Sequence, residues 1–325
     1  MKLILQSEAA TDVQPHLPSD IQVVHIDENN QFDGNPSDAE VYLNWYYLKP
    51  ATLETVLAAA PHLRWHHTPS AGVNHILISS YLKRDIVLTN SAGIHAIPIS
   101  EFVLAYMLNY AKLFPKLQSL QAQSYWNKEW DESIEAWQGY GFQELQDTTL
   151  LVIGAGNIGQ AIAQRASAFG VRVWGVRRHP QPTPGFEKVV GTDEWRSLLP
   201  DAKYVVVATA LTPETKGLID ESVFKAMRPD AYFINIARGA IVDETALFKA
   251  LSDRWIAGAA LDTFVTEPLP PDSPFWTLPN VFVTPHCSAL SPRLVERILN
   301  LFLDNLDRYR SGQPLRNVVD KTAGY

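Results

Sequence analysis

Apolar residues fall in short uninterrupted runs along most of this chain, and helical rather than alternating patterns separate them. Toward the N-terminus the runs are Leu3 to Leu5, Val23 to Ile26, Val41 to Trp45 and Ile86 to Leu88, with a helical stretch at Ala51 to Ala60. That pattern predicts a small α/β domain. Pro98 opens a stretch in which Ile99, Phe102, Val103, Tyr106, Met107 and Tyr110 recur at helical spacing, which predicts a long buried helix crossing into a second domain. From Thr149 the signals become regular. Leu150 to Ile153, Val171 to Val176, Tyr204 to Ala208, Ala231 to Ile236, Ile256 to Leu261 and Val281 to Thr284 predict strands, with helices at Ile158 to Phe169 and from Asp243. Strands that are apolar throughout are buried on both faces, so the predicted sheet is parallel and covered by helices on either side. A final helix from Ser291 to Tyr309 carries Leu294, Ile298, Leu301 and Leu306 on one side and is expected to return to the first domain. The segment Tyr125 to Gly141, with Trp126, Trp130 and Trp137 among charges, has no clear period and reads as an excursion that packs on another surface, such as a second subunit.

Composition narrows the class. A chain of 325 residues exceeds one ordinary core and suits two domains. The net charge of -8 supplies no basic face, which argues against nucleic acid as a partner. Cys287 is the only cysteine, so no internal disulfide forms, and no His/Cys cluster has zinc spacing; neither a metal nor an oxidising compartment is expected. The apolar opening at Leu3 to Leu5 is too short for a secretion signal or a membrane span, and cytoplasm is the expected location.

Between the run ending at Ile153 and the following helix lies Gly154-Ala155-Gly156-Asn157-Ile158-Gly159. The first glycine allows a tight turn, the second lets a pyrophosphate approach the backbone, and the third lets helix and strand pack closely, with the amides near Asn157 and Ile158 facing the negative charge. An NAD site ordinarily has an acidic residue about 20 residues on, bonded to the ribose diol. This chain has Arg177 and Arg178 there instead. Two guanidiniums suit a ribose 2′-phosphate, so NADP(H) is the preferred cofactor and NAD(H) the lesser choice.

Three further segments carry reactive types: Asn235 to Asp243, containing Arg238; Ala260 to Pro270, containing Asp262 and Glu267; and Asn280 to Ser288, containing His286. Arg suits the task of holding a carboxylate and polarising a carbonyl, and His suits that of a proton donor that titrates near neutrality. With Ser70 to Asn74 and Asn90 to His95 in the first domain, these segments in this order resemble the D-isomer-specific 2-hydroxyacid dehydrogenases over nearly the whole length. The resemblance implies two Rossmann-like, doubly wound parallel-sheet α/β domains with an interdomain cleft. Residues 1–97 plus 290–325 would form the substrate-binding lid and residues 98–289 the dinucleotide-binding domain. It also implies Arg238, Glu267 and His286 as the catalytic set, with Glu267 orienting the imidazole and favouring its charged form.

The same resemblance places Gly154, Gly156, Asn157, Ile158, Gly159, Arg177, Arg178, Thr209, Ala237, Asp262 and Ser288 against the cofactor, Asp262 near the nicotinamide and Thr209 on the adenosine side. Ser70, Ala71 and Gly72 would bind the substrate carboxylate through backbone amides, together with Arg238 and His286. Trp45 and Tyr46 either wall the pocket or belong to the core. His66 and His67 lack partners of the catalytic kind and are read as structural; His95 is structural or lines the cleft. The expected enzyme is an NADP(H)-dependent 2-oxo acid reductase, acting on glyoxylate or hydroxypyruvate, in a cytoplasmic homodimer. Alternatives are a phosphoglycerate dehydrogenase, which would be expected to add cations for a substrate phosphate, and a nucleotide-binding corepressor, which would keep the core but show no turnover. A formate dehydrogenase would not keep the Glu267 and His286 pairing in this form.

Overall fold

The computed structural model describes residues 1–45, 48–73, 75–126 and 141–322. Tyr46, Asn74, Trp130 and Trp137 lie outside them. The chain forms two compact units, Met1–Ile94 with Ser291–Tyr325, and His95–Leu290.

In the first unit, strands β1 (Lys2–Gln6), β2 (Gln22–Ile26), β3 (Val41–Leu43), β4 (Trp65–Thr68) and β5 (Val87–Asn90) make a parallel sheet in the order β2-β1-β3-β4-β5. Residues of one strand alternate between two buried faces. Ile4, Tyr42 and Leu88 pack on one side with Leu53 and Val56 of the helix Pro50–Ala59, and Leu3, Leu5, Val41 and Leu43 pack on the other with Ile298, Phe302 and Leu306 of the helix Leu294–Arg310. The apolar stripe predicted for the last helix is therefore the face it buries.

Strand β4 was not foreseeable as an apolar run, because His66 and His67 sit in its middle. Both are fully buried, and burial pushes each imidazole down to about 3. The bonding around His67 suits only a neutral ring. Ser91 Oγ donates to Thr68 O at 3.1 Å, so it accepts from His67 Nε2 at 3.2 Å, which leaves Nδ1 to accept from the Thr89 hydroxyl at 2.8 Å. His66 Nε2 meets Asn44 Oδ1 at 2.8 Å, and its ring stacks on Tyr42.

The second unit carries seven parallel strands: β6 (Thr149–Ile153), β7 (Arg172–Val176), β8 (Lys188–Val190), β9 (Tyr204–Val207), β10 (Tyr232–Asn235), β11 (Gly258–Leu261) and β12 (Val281–Val283), in the order β12-β11-β10-β9-β6-β7-β8. Leu151, Val205, Phe233 and Ala259 face one core. Leu150, Val206, Ile234 and Ala260 face the other, with Val103 and Met107 of the helix Ala96–Ala111. That helix packs on the helix Asn157–Ser167. The chain runs outward from β6 through β7 and β8, then returns to β6's other side and runs outward again from β9. Such a reversal leaves a crevice at the carboxyl ends of the two central strands, where ligands bind in open α/β sheets. No helix among the described residues is long and apolar enough to cross a membrane.

Candidate active site

Every candidate of the second unit follows a strand. The glycine turn follows β6, Arg177 and Arg178 follow β7, Thr209 follows β9, Ala237 and Arg238 follow β10, Asp262 and Glu267 follow β11, and His286 and Ser288 follow β12. Because the strands are parallel, one edge of the sheet collects them all.

The three glycines serve two purposes. Gly154 has φ +116°, and a Cβ there would lie 2.6 Å from the carbonyl carbon of Ala208 and 2.7 Å from Thr209 N, so the turn presses directly on the end of β9. A Cβ on Gly159 would lie 2.2 Å from Gly154 O. Gly156 differs: a Cβ there would meet nothing within 4 Å. Its bare, exposed backbone opens the helix Asn157–Ser167, whose first-turn amides have no intrahelical acceptor. An open cradle at a helix N-terminus, set at the reversal between β6 and β9, fits a dinucleotide pyrophosphate.

Beyond β7, Arg177 is half-buried, with its amide bonded to Val190 O at 3.1 Å, and Arg178 is exposed. Glu214 feels both neighbours: the Thr212 hydroxyl, at 2.7 Å, chiefly lowers its carboxyl below the ordinary value, and the Arg178 charge adds to this.

The turn bearing Arg238 is clamped by Asn235. Its side-chain oxygen accepts from Ala237 N at 3.1 Å, and its amide group donates to Arg238 O at 3.2 Å. The guanidinium donates to Ala237 O at 2.7 Å and remains exposed. Next in sequence, Gly239 touches the loop after β11 so closely that a Cβ would fall 1.9 Å from Phe264 C and 2.2 Å from Val265 N. The Arg238 turn is thereby seated against the segment that leads to Glu267.

Glu267 uses both oxygens. Oε1 accepts from Phe264 N at 2.8 Å, which fixes the carboxylate to its own loop, and Oε2 accepts from His286 Nδ1 at 2.7 Å. A carboxylate can only accept, so Nδ1 carries the proton and Nε2 is the nitrogen presented outward. The His286 and Glu267 side chains are 42% and 35% exposed, so the pair stands at the surface of the unit, where a substrate can reach it. His286 has φ +50°, a left-handed conformation that costs a non-glycine residue about 1–2 kcal/mol and needs support from its neighbours.

Asp262 is 1% exposed and spends its carboxylate on the loop that carries His286. Oδ1 accepts from the Thr284 hydroxyl at 2.6 Å and from Cys287 N at 2.9 Å, and Oδ2 accepts from Ser288 N at 3.1 Å. Ala237 and Ser288 are buried at their strand ends.

In the first unit, Ser70 is half-buried and Ala71 and Gly72 are exposed in the loop after β4. Ser70 O accepts from Ser91 N at 3.2 Å, and Ala71 O accepts from the Asn90 side chain at 2.8 Å, so the loop's carbonyls turn inward to β5's end. Trp45 is 3% exposed and packs with Leu3, Leu5, Val41 and Trp65, its amide bonded to Gln6.

Sequence reasoning assigned no role to Asn235, Gly239, Glu244, Tyr106 or Thr284. Glu244 Oε1 accepts from Val265 N at 2.7 Å and steadies the same loop. Tyr106 carried one signal, a hydroxyl on a largely apolar helix face, which it shares with Tyr110.

A glycine turn that opens a helix, at the same sheet edge as a carboxylate-paired histidine and an exposed arginine, fits a dinucleotide-dependent oxidoreductase. Residues 104–288 match the family described as D-isomer specific 2-hydroxyacid dehydrogenase, NAD binding domain. A glyoxylate reductase of Korarchaeum cryptofilum is 32% identical over 271 residues, spanning 82% of this chain and 79% of that protein. A glyoxylate/hydroxypyruvate reductase A of Serratia proteamaculans is 34% identical over 229 residues, spanning 70% and 68%. Among solved structures, an NADPH-dependent glyoxylate/hydroxypyruvate reductase of Sinorhizobium meliloti, in complex with NADP and sulfate, superimposes with a TM-score of 0.82 at 26% identity, covering 100% of this chain and 99% of that one. The chain belongs to the D-isomer-specific 2-hydroxyacid dehydrogenases, NAD(P)-dependent oxidoreductases acting on the CH–OH group of 2-hydroxy acids.

Proposed function

We propose that this protein reduces a small 2-oxo acid, glyoxylate or hydroxypyruvate, using NADPH in preference to NADH. The observation that carries the reading is the 2.7 Å bond between His286 Nδ1 and Glu267 Oε2 at the strand edge that also bears the glycine cradle. Reductases of these two acids among the relatives support the substrate class.

Gly154, Gly156, Asn157, Ile158 and Gly159 would hold the pyrophosphate. Arg177 and Arg178 stand where the ribose-binding carboxylate of an NAD site is absent, and would hold a 2′-phosphate through paired donors. Thr209, Ala237, Asp262 and Ser288, at neighbouring strand ends, would complete the cofactor's surroundings. NADPH, when bound, would supply the hydride for the carbonyl carbon.

Arg238 polarises the carbonyl and neutralises the carboxylate, a task its fixed fork of donors suits. As negative charge grows on the carbonyl oxygen, His286 Nε2 delivers its proton there. Glu267, bonded to the opposite ring nitrogen, keeps the ring oriented. Ser70, Ala71 and Gly72 are our assignment for the substrate carboxylate, because small residues with exposed backbone suit close approach of an anion.

We also propose a homodimer in the cytoplasm. Tyr125 and Trp126 are 54% and 81% exposed, an apolar exposure that a partner subunit would cover, and sedimentation at micromolar concentration tests it. Initial rates with glyoxylate, hydroxypyruvate, pyruvate and phenylpyruvate, each with NADPH and NADH, test the activity. Turnover of the first two with NADPH is expected; an inactive protein, or equal rates with NADH, would overturn the substrate or the cofactor assignment respectively.

A further inference from the structure

We propose that Tyr106 and Thr284 are positioning residues for His286, forming with Asp262 a relay that holds the acid/base loop in its left-handed turn. The inference rests on the proposed role of His286.

The direction of the relay follows from bonding capacity. Asp262 Oδ1 can only accept, so the Thr284 hydroxyl donates its one proton there, at 2.6 Å. Thr284 Oγ1 then has only lone pairs for Tyr106, and the phenol must donate to it, at 2.6 Å. The carboxylate also accepts Cys287 N at 2.9 Å and Ser288 N at 3.1 Å. Asp262 thus grips the loop on both sides of His286: through the side chain of Thr284 before it and the backbone of Cys287 and Ser288 after it. His286 N itself bonds back to Thr284 O at 3.1 Å.

Anchorage comes from the sheet and from a helix packed on it. Asp262 directly follows β11, with its amide bonded to Asn235 O at 3.0 Å, and is 1% exposed; Tyr106 is 2% exposed on the helix Ala96–Ala111, its ring 5.9 Å from Phe282 of β12. A left-handed non-glycine residue persists only where its surroundings over-determine it. Without the relay the loop would keep its sequence but sample other backbone conformations, and Nε2 would spend less time where a carbonyl oxygen waits. The pyrophosphate and ribose contacts assigned to the glycine cradle, Arg177 and Arg178 follow other strands and would be untouched, so the loss would fall on kcat more than on KM for NADPH.

The test measures kcat, KM for NADPH and the solvent isotope effect with glyoxylate as substrate, for wild type and for Thr284→Val, Thr284→Ser and Tyr106→Phe. Thr284→Val should lower kcat by about ten- to a hundredfold, a fraction of what an acid catalyst contributes, with KM for NADPH within about twofold and a larger solvent isotope effect. Tyr106→Phe should lower kcat in the same direction but less, and Thr284→Ser should recover most of what Thr284→Val loses. Full kcat in a folded Thr284→Val, or no recovery with Ser, would overturn the proposal. Amide hydrogen exchange at Cys287 and Ser288 reads the relay without turnover. Protection in wild type and Thr284→Ser, lost in Thr284→Val, supports it even if no 2-oxo acid is reduced; unchanged protection rejects it. If Thr284→Val does not fold, Tyr106→Phe must show the partial loss of both kcat and amide protection, and its absence is equally decisive.

Discussion

Adding a single methyl group at Gly239 should disable the enzyme while leaving its glycine turn intact. The Cβ of Gly239→Ala would stand 1.9 Å from Phe264 C, 2.2 Å from Val265 N and 2.3 Å from Phe264 O, all of them backbone atoms that cannot rotate aside. Ordinary contact begins at 3.4 Å, so the two loops must part by about 1.5 Å. The Phe264 to Glu267 loop is tied at Phe264 N to Glu267 and at Val265 N to Glu244, and the Arg238 turn is clamped by Asn235. Whichever yields, Arg238 and the Glu267–His286 pair lose register. A displacement of about 1 Å at a reacting centre costs on the order of a hundredfold in rate, so kcat/KM for glyoxylate should fall by at least that much. The strain of overpacking, about 1–3 kcal/mol, should lower Tm by several degrees without unfolding the protein at 25 °C. NADPH titration by fluorescence quenching should still detect binding, because the glycine turn and Arg177 and Arg178 lie at the ends of other strands, with any weakening confined to the contact assigned to Ala237. A folded Gly239→Ala protein with wild-type turnover would refute this account of how the arginine is placed.

Three further outcomes are expected. His286→Ala should reduce glyoxylate turnover by about 10²- to 10⁴-fold and spare NADPH binding, measured by steady-state rates and titration; an active variant removes His286 as the acid. Replacing Arg177 with Asp and Arg178 with Ser should reverse the ratio of kcat/KM for NADPH over NADH, and an unchanged ratio would show that the guanidiniums do not read the 2′-phosphate. Burial holds His66 and His67 at about 3 in the folded chain, so above the ordinary imidazole value of about 6.5 both states are neutral and this pair adds no pH dependence. Below it the unfolded chain takes up protons that the fold refuses, and stability falls as pH drops toward 3, by up to about 1.4 kcal/mol per pH unit for each ring. Urea unfolding at pH 7 and pH 5 should therefore show a steeper loss in wild type than in His67→Asn, whereas parallel losses would contradict it.

Much of this molecule was written in local pattern. Continuous apolar runs, the proline opening the helix Ala96–Ala111 and the amphipathic Leu294–Arg310 are all consequences of burying one or two faces, and burial repeats with the geometry of the element itself. Strand β4 escaped that logic because its two histidines are accommodated by Asn44, Thr89 and Ser91, residues distant in sequence. Strand β8 escaped because it opens on Lys188, which leaves only Val189 and Val190 as apolar signal, whereas the equally short β12 is apolar at all three positions.

The reactive types were equally legible: a glycine turn with arginines where a carboxylate is usual, then an arginine, a glutamate and a histidine in separate segments. Their arrangement was not. That Glu267 bonds His286 at Nδ1, that Gly239 presses on Phe264, and that Asp262 is occupied by Thr284, Cys287 and Ser288 all depend on which strands lie side by side. Sequence specifies residue types and local periods through short-range sterics and hydrophobicity. Hydrogen bonds between loops that follow β11 and β12 require those strands to be neighbours in one parallel sheet, and only the packed core of the second unit decides that.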